Sequence, residues 1–419
     1  MKNTGIGRQN SHDYILTQQT AEGRPQLNAA TFTQTHADAL VQQTMEVLVN
    51  KNAVNKSDYP QVAAMETSCL QQLANLYHLE EGSEVIGTST IGSSEACYTA
   101  GLAMLFRWKE HQKASAAWRT PNLIISSAHH VCWKKFAVYH GVQLREIPLT
   151  LDNPQLNPQR AVELIDKDTI GIVATLGGTH LGLYDDIKSL NELLTEFNER
   201  SFYPVFIHVD AASGGLYAPF TSPQYEWDFT LKYVASINVS GHKYGLVPAS
   251  VGWLIWRGKE FLPAELRDFA VPYLGGKITT FGINFSKPSA HIGVQYMEFL
   301  GRGRDGYAEI HNRTKDLSFR LYDALSVVPE LQLLNPPNHL PVVCWRSAVA
   351  GNVNLYNLAD ALKDTGGWHV PTYNLPRNLE HITIQRFVCR ADLTDNLVDK
   401  FVSDLAQAVD TLPITRSVG

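Results

Sequence analysis

The chain predicts an α/β fold: a mostly parallel sheet flanked by helices, with a smaller α+β unit behind it. Three features carry that expectation. Short β-rich apolar runs alternate with helical patterns between about residues 120 and 257, a long helical stretch follows, and beyond Pro336-Pro337 the pattern changes to strand, helix, strand, helix. Buried parallel strands read as continuous apolar runs and need crossover helices between them, which is what the alternation supplies. The 419 residues, 44% apolar and 18% charged, are enough for a large core and more than one domain.

Taken in order, 37–50, 61–77 and 94–113 read as helices. The strand runs then fall at 122–126, 142–147, 169–175, 204–210, 234–240 and 251–256. Between the third and fourth, Ile187, Leu190, Leu193, Leu194 and Phe197 recur at helical spacing behind two candidate caps, Asp185 and Asp186, so one βαβ step is explicit. Helices are expected at 290–302 and 306–327, the second long enough to connect two domains. After the proline pair, strand runs at 341–346 and 381–388 flank a helix near 355–364, and an amphipathic helix from 392 to 412 closes the chain. The sequence contains no internal repeat, charge block or low-complexity segment.

Charge and cysteine usage narrow the function classes. Thirty-five Lys and Arg stand against 41 Asp and Glu, a net charge of -6, which removes nucleic acid as an expected partner. Cys69, Cys97, Cys132, Cys344 and Cys389 are scattered and odd in number, without a CxxC pair, so a reducing compartment fits better than a disulfide framework and no metal site is expected. The first thirty residues lack the apolar core of a signal peptide. Apolar runs such as 251–256 fall well short of the roughly 20 residues a spanning helix needs, so a cytoplasmic chain without membrane contact is expected.

Three stretches can carry chemistry. In Ser240-Gly-His-Lys243, a lysine follows an apolar strand, where desolvation lowers an amine's pKa and permits Schiff-base chemistry; a solvated strand-end lysine is the plain alternative. In His208-Val-Asp-Ala-Ala-Ser-Gly-Gly215, Asp210 sits at a strand end and can pair with a protonated pyridine nitrogen, cap a helix, or join His208 at a metal. In Gly87-Thr-Ser-Thr-Ile-Gly-Ser-Ser-Glu-Ala96, small and hydroxyl residues precede a helix; this suits a phosphate held by backbone N–H groups with Ser93 and Ser94, or an ordinary Ser cap. The stretch is neither GxGxxG nor a P-loop.

Running along the chain as phosphate turn, ring-nitrogen carboxylate and Schiff-base lysine, the three elements resemble the group II pyridoxal phosphate (PLP) dependent decarboxylases, most closely bacterial and plant glutamate decarboxylases. The resemblance runs from about Ala30 to the last helix and is most specific over 88–97, 208–215, 238–257 and 273–288. It implies the type I aminotransferase-like fold, with a mixed seven-stranded sheet in a large domain (51–305), a small C-terminal α+β domain (306–419) and an N-terminal segment (1–50) that contributes to a dimer and to the partner's active site. By position it implies that Lys243 holds PLP covalently, that Asp210 pairs with the pyridinium, and that Ser93, Ser94, Ser240 and His242 surround the phosphate. Ser286 would reach the neighbouring subunit's phosphate, Thr179 would lie near the ring, Ala212 beneath it and His130 over it. Arg386 would grip the α-carboxylate, and Tyr273, on the segment matching the mobile loop, would return a proton to Cα. Thr31, Phe32 and Asn52 match positions that receive a glutamate side chain, with Thr31 and Phe32 expected from the other subunit.

Two departures bear on the substrate. Asn55 stands where the family carries an acid, and His130 where this branch carries a glutamine. The expected reaction is conversion of L-glutamate to 4-aminobutanoate and carbon dioxide by a homodimer or higher homo-oligomer. The rivals are a decarboxylase for aspartate, cysteine sulfinate, or a neutral or aromatic amino acid, a desulfurase, and a non-catalytic scaffold.

Overall fold

The computed structural model describes residues 5–112, 119–201, 203–271, 276–279, 282–348 and 353–412. The N-terminal part is helical: α1 (Arg8–Gln19), α2 (Ala39–Leu48) and α3 (Pro60–Leu76), followed by strand β1 (Ile86–Thr90) and helix α4 (Ser93–Gln112). Then come β2 (Asn122–Ser126), α5 (Val131–His140), β3 (Gln143–Ile147), α6 (Pro158–Glu163), β4 (Thr169–Thr175), α7 (Ile187–Glu199), β5 (Ile207–Asp210), the one-turn α8 (Ala218–Thr221), β6 (Val234–Ser240) and β7 (Gly252–Trp256). A hairpin, β8 (Asp268–Val271) and β9 (Gly276–Thr279), precedes the long α9 (Ser289–Ser326). The C-terminal part consists of β10 (Leu331–Asn335), β11 (Val342–Ser347), α10 (Leu355–Gly366), β12 (Thr372–Asn374), β13 (Thr383–Val388) and α11 (Asp395–Thr411).

Seven strands form the large sheet in the order β1-β7-β6-β5-β4-β2-β3. The pairs β2–β3, β2–β4, β4–β5 and β5–β6 are parallel, whereas β7 runs antiparallel to both β6 and β1. Every residue of β2, β5, β6 and β7 is buried, as a strand covered on both faces requires. The second sheet, β10-β11-β13-β12, is antiparallel throughout, and its core of Val343, Trp345, Trp368, Phe387 and Phe401 also takes in Leu317, Leu321 and Leu325 from α9.

Helix ends follow local chemistry. Asp186 caps α7 by accepting from the Ser189 N–H, while Ile187, Leu190 and Leu194 are buried. Asp185, the other expected cap, is buried instead: its carboxylate accepts from the N–H groups of Leu156 and Thr175, and burial raises its pKa to about 6. The two helices expected at 290–302 and 306–327 are one element interrupted at Gly303, where φ is 58°. Among the described residues, nine elements lie where no strand or helix is expected from the sequence: α1, β1, α5, α6, α8, β8, β9, β10 and β12.

Candidate active site

Three strands and two helix starts converge on one cavity of about 350 Å³. Its walls include Ser93 and Ser94 at the first turn of α4, His130 at the N-cap of α5, Thr179 beyond β4, Asp210 and Ala212 at the end of β5, and Ser240, His242 and Lys243 after β6. Nine residues anticipated from the sequence thus share one space.

Lys243 lies in the turn after β6. Its ammonium group donates to Ser213 Oγ (3.1 Å) and sits 5.4 Å from the centre of the Phe32 ring. Burial lowers its pKa, with the Asp210 carboxylate pulling the other way, so this amine releases a proton more readily than a surface lysine. Asp210 is 5% exposed. Trp133 Nε1 donates to its Oδ2 (3.0 Å), Asn238 Nδ2 to its Oδ1 (3.1 Å), the Ala212 N–H to Oδ1 (3.2 Å), and the Cys97 thiol to Oδ2 (3.4 Å). Burial alone works against its ionisation, but Trp133, His208, Asn238 and Lys243 together hold it below the usual carboxylate range.

At the opposite side, the N-terminus of α4 presents backbone N–H groups, with Ser93 Oγ bonded to Ser240 Oγ at 2.7 Å. Glu95 closes this turn by accepting from the Ile91 N–H (2.8 Å), and β7 presses against it so closely that a Cβ at Gly252 would lie 2.8 Å from Ser93 N. His242 Nδ1 donates to the Val251 carbonyl (2.9 Å); burial, then Lys243, lowers its pKa to about 4, so the ring is neutral and its Nε2 is left as an acceptor.

Arg386, on β13, is 8% exposed and stacks between Phe32 and Tyr373, its guanidinium carbon 5.0 and 5.5 Å from the two ring centres. It donates to the Ala30 carbonyl (3.0 Å), and its buried Nε has no hydrogen-bond partner among the described residues. Phe32 thus lies against Lys243 and Arg386 of its own chain, whereas the resemblance implied that it would come from the other subunit. Arg390, 2% exposed, fastens the segment by donating to the carbonyls of Gln26, Asn28 and Thr31, and Gln34 reaches the Lys243 carbonyl at 2.8 Å.

Asn52, Asn55 and Ser286 are not brought to this cavity. Asn52 Nδ2 donates to Ser286 Oγ (3.2 Å), its Oδ1 accepts from the Lys287 N–H, and the Asn55 N–H donates to the Asn52 carbonyl, so the three form a separate group, with Ser286 exposed. Tyr273 lies outside the described residues.

Several site residues escaped the sequence reading: Cys97, Cys132, Trp133, Ser213 and Asn238. Cys97 and Cys132 lie on different helices, yet their sulfurs and an Asp210 oxygen are within 4.8 Å of one another. Two of the five cysteines are thus lining residues of the cavity as well as core. Burial pushes the Cys97 thiol up, while hydrogen bonds from Cys97 and His130 pull Cys132 down to about 6.

The donor set fits PLP. A helix N-terminus with two serines suits a phosphate, a desolvated amine suits an aldehyde, and a buried, ionised carboxylate suits a pyridinium N–H that donates a hydrogen bond to it.

Comparison with known proteins agrees with this geometry. Residues 8–348 match the pyridoxal-dependent decarboxylase conserved domain. The chain is 45% identical over 396 residues to glutamate decarboxylase beta of Listeria innocua, covering 93% of this chain and 85% of the relative. It is 43% identical over 407 residues to glutamate decarboxylase of Lactococcus lactis subsp. cremoris, covering 96% and 87%. The solved structure of glutamate decarboxylase from Lactobacillus brevis superimposes with a TM-score of 0.95 at 41% identity, covering 99% of this chain and 95% of that one.

Proposed function

The chain belongs to the pyridoxal-dependent decarboxylases, and from that membership we propose that it removes the α-carboxylate of L-glutamate, giving 4-aminobutanoate and carbon dioxide. The observation that carries the reading is that Arg386 and Lys243 meet on the same Phe32 ring, while Lys243 lines one cavity with Asp210 and the α4 N-terminus. PLP, when bound, supplies an electron sink for the bond that breaks at Cα.

The protein's own residues prepare that step. Ser93, Ser94, Ser240 and His242 would hold the phosphate, and Lys243 would hold the aldehyde carbon. Asp210 would favour a proton on the ring nitrogen, because a carboxylate held ionised in a buried site favours a cation beside it. Arg386 receives the α-carboxylate, and its stacking between two rings fixes the direction in which that group points. One proton is consumed at Cα, and Tyr273 is proposed as its source.

We further propose a homodimer in the cytoplasm. Asn52, Asn55 and Ser286 stand away from their own chain's cavity, and α1 buries none of its residues while exposing Tyr14, Ile15 and Leu16, as a segment that packs on a second copy would. In that arrangement Asn52 and Asn55 meet the side-chain carboxylate of a substrate in the other subunit, and Ser286 its phosphate. Among the described residues, no helix is long and apolar enough to cross a membrane.

Product identification from an amino-acid panel with PLP added tests the function. Glutamate is expected to release carbon dioxide and 4-aminobutanoate, and Lys243→Ala to lose at least about a thousandfold in kcat. Turnover of aspartate, cysteine sulfinate or an aromatic amino acid in preference to glutamate would overturn the substrate. His130, which lines the cavity, and Asn55 motivate that second reading; under it, Asn55→Asp raises glutamate turnover.

A further inference from the structure

Behind the cavity wall, neighbouring strands carry polar side chains where the pattern would otherwise be apolar. His208 and Asp210 are two apart on β5, Ser236 and Asn238 two apart on β6, and the register pairs His208 with Ser236 and Asp210 with Asn238. His208 Nδ1 bonds Ser236 Oγ (2.8 Å), His208 Nε2 bonds Asn238 Oδ1 (2.8 Å), and Asn238 Nδ2 donates to Asp210 Oδ1 (3.1 Å). His208 and Asn238 are 0% exposed, and Ser236 is 3% exposed.

The direction of every bond follows from its last member. An ionised carboxylate only accepts, so Asn238 must turn its NH2 toward Asp210 and its oxygen toward His208. His208 Nε2 then carries the hydrogen, and Nδ1 accepts from the Ser236 hydroxyl. All three bonds donate toward Asp210.

We propose that His208 and Asn238 are positioning residues that aim the Asp210 carboxylate and keep it ionised, acting as a fixed relay of neutral hydrogen bonds and not by passing a proton. The proposal rests on the reading of Asp210 as the partner of the cofactor's ring nitrogen. Burial lowers the His208 pKa to about 4, in keeping with a neutral ring. The other titratable groups that face Asp210 are Cys97 from α4, His130 and Cys132 from the start of α5, and Lys243 from the turn after β6.

The test measures PLP retention by the purified holoenzyme, from its absorbance after equilibrium dialysis across pH 4 to 8, with circular dichroism as a check on folding. Asn238→Leu and His208→Leu are expected to raise the cofactor dissociation constant on the order of 10- to 100-fold, the range for losing a hydrogen bond to a charged group. They should also move the acid edge of retention up by about one pH unit, because Asp210 then protonates sooner as pH falls. His208→Gln keeps a neutral N–H donor and should stay within about threefold of the parent with its acid edge unmoved. Leu variants that match the parent in both readouts overturn the positioning role, and a His208→Gln variant as impaired as His208→Leu overturns the neutral relay. If the Leu variants do not fold, Ser236→Ala decides: about a two- to fivefold weakening supports the relay, and no change refutes it. A parent chain that retains no PLP at pH 7 refutes the cofactor reading itself, a result distinct from either failure.

Discussion

His311→Phe should remove a defined part of this protein's acid sensitivity. His311 lies on α9, is 0% exposed, and is ringed by Tyr217, Phe220, Tyr244 and Tyr307 at centroid distances of 5.4, 5.7, 5.8 and 5.7 Å. Burial there pushes its imidazole down to about 3, against the weaker opposing pull of the Tyr244 and Leu216 carbonyls. A histidine with a depressed folded-state pKa stabilises the fold fully above its unfolded value of about 6.5, and that contribution drains away as pH falls toward the folded value. Between pH 7.5 and 5.0 the loss is about 1.36 kcal/mol per pH unit over about 1.5 units, or about 2 kcal/mol. Phenylalanine has nearly the same shape and no proton to take up, so the pH 7.5 stability should change by less than about 1.5 kcal/mol. The assay is urea unfolding of parent and variant at both pH values and one protein concentration, which holds any association term constant. The parent should lose about 2 kcal/mol more than the variant on acidification; equal losses would refute the assignment of a neutral, buried His311.

Arg386→Lys should raise KM for the amino acid about 10- to 100-fold while leaving PLP absorbance unchanged, because an ammonium group supplies neither the planar fork nor the stacking between Phe32 and Tyr373. A changed cofactor spectrum with normal KM would move Arg386 out of the substrate site. Gly252→Ala places a Cβ 2.6 Å from the Gly92 carbonyl carbon and 2.8 Å from Ser93 N, so the phosphate-binding turn must shift. Its PLP affinity should fall about tenfold or more with the helix content preserved, and unchanged affinity would show that the α4 N-terminus does not hold the phosphate.

The large sheet was legible because burial on both faces leaves a one-dimensional signature: β2, β4 and β7 are runs dominated by apolar and small residues, with helices between them. β1, Ile-Gly-Thr-Ser-Thr, lacks that signature. Its residues are small because α3 and β7 crowd it: a Cβ at Gly87 would lie 2.7 Å from the Leu254 carbonyl oxygen and 2.9 Å from Leu70. Composition alone therefore reads it as part of a turn. α5 was missed for a different reason. Its cap is His130, whose Nδ1 accepts from the Cys132 N–H, and histidine is outside the usual set of Ser, Thr, Asp and Asn.

The site divides in the same way between local and long-range information. Lys243, Asp210 and the Ser93-Ser94 turn stand at strand ends and a helix start, positions that sequence periodicity marks, and the resemblance to a known family assigned their chemistry. Cys97, Trp133 and Cys132 reach Asp210 only because α4 and α5 pack together on one face of the sheet, and no spacing along the chain encodes that meeting. Asn238 and Ser236 are intermediate, since their signal was present and went unread. In Val-Ala-Ser-Ile-Asn-Val-Ser, the polar residues recur with period two inside a strand that is buried throughout. A surface strand alternates in this way for solvent, but a central strand covered on both faces has no solvent face, so each polar side chain needs a partner inside the protein. On β6 the nearest such partners are His208 and Asp210 across the ladder, and a polar stripe on a fully buried strand therefore points to the carboxylate on which the site depends.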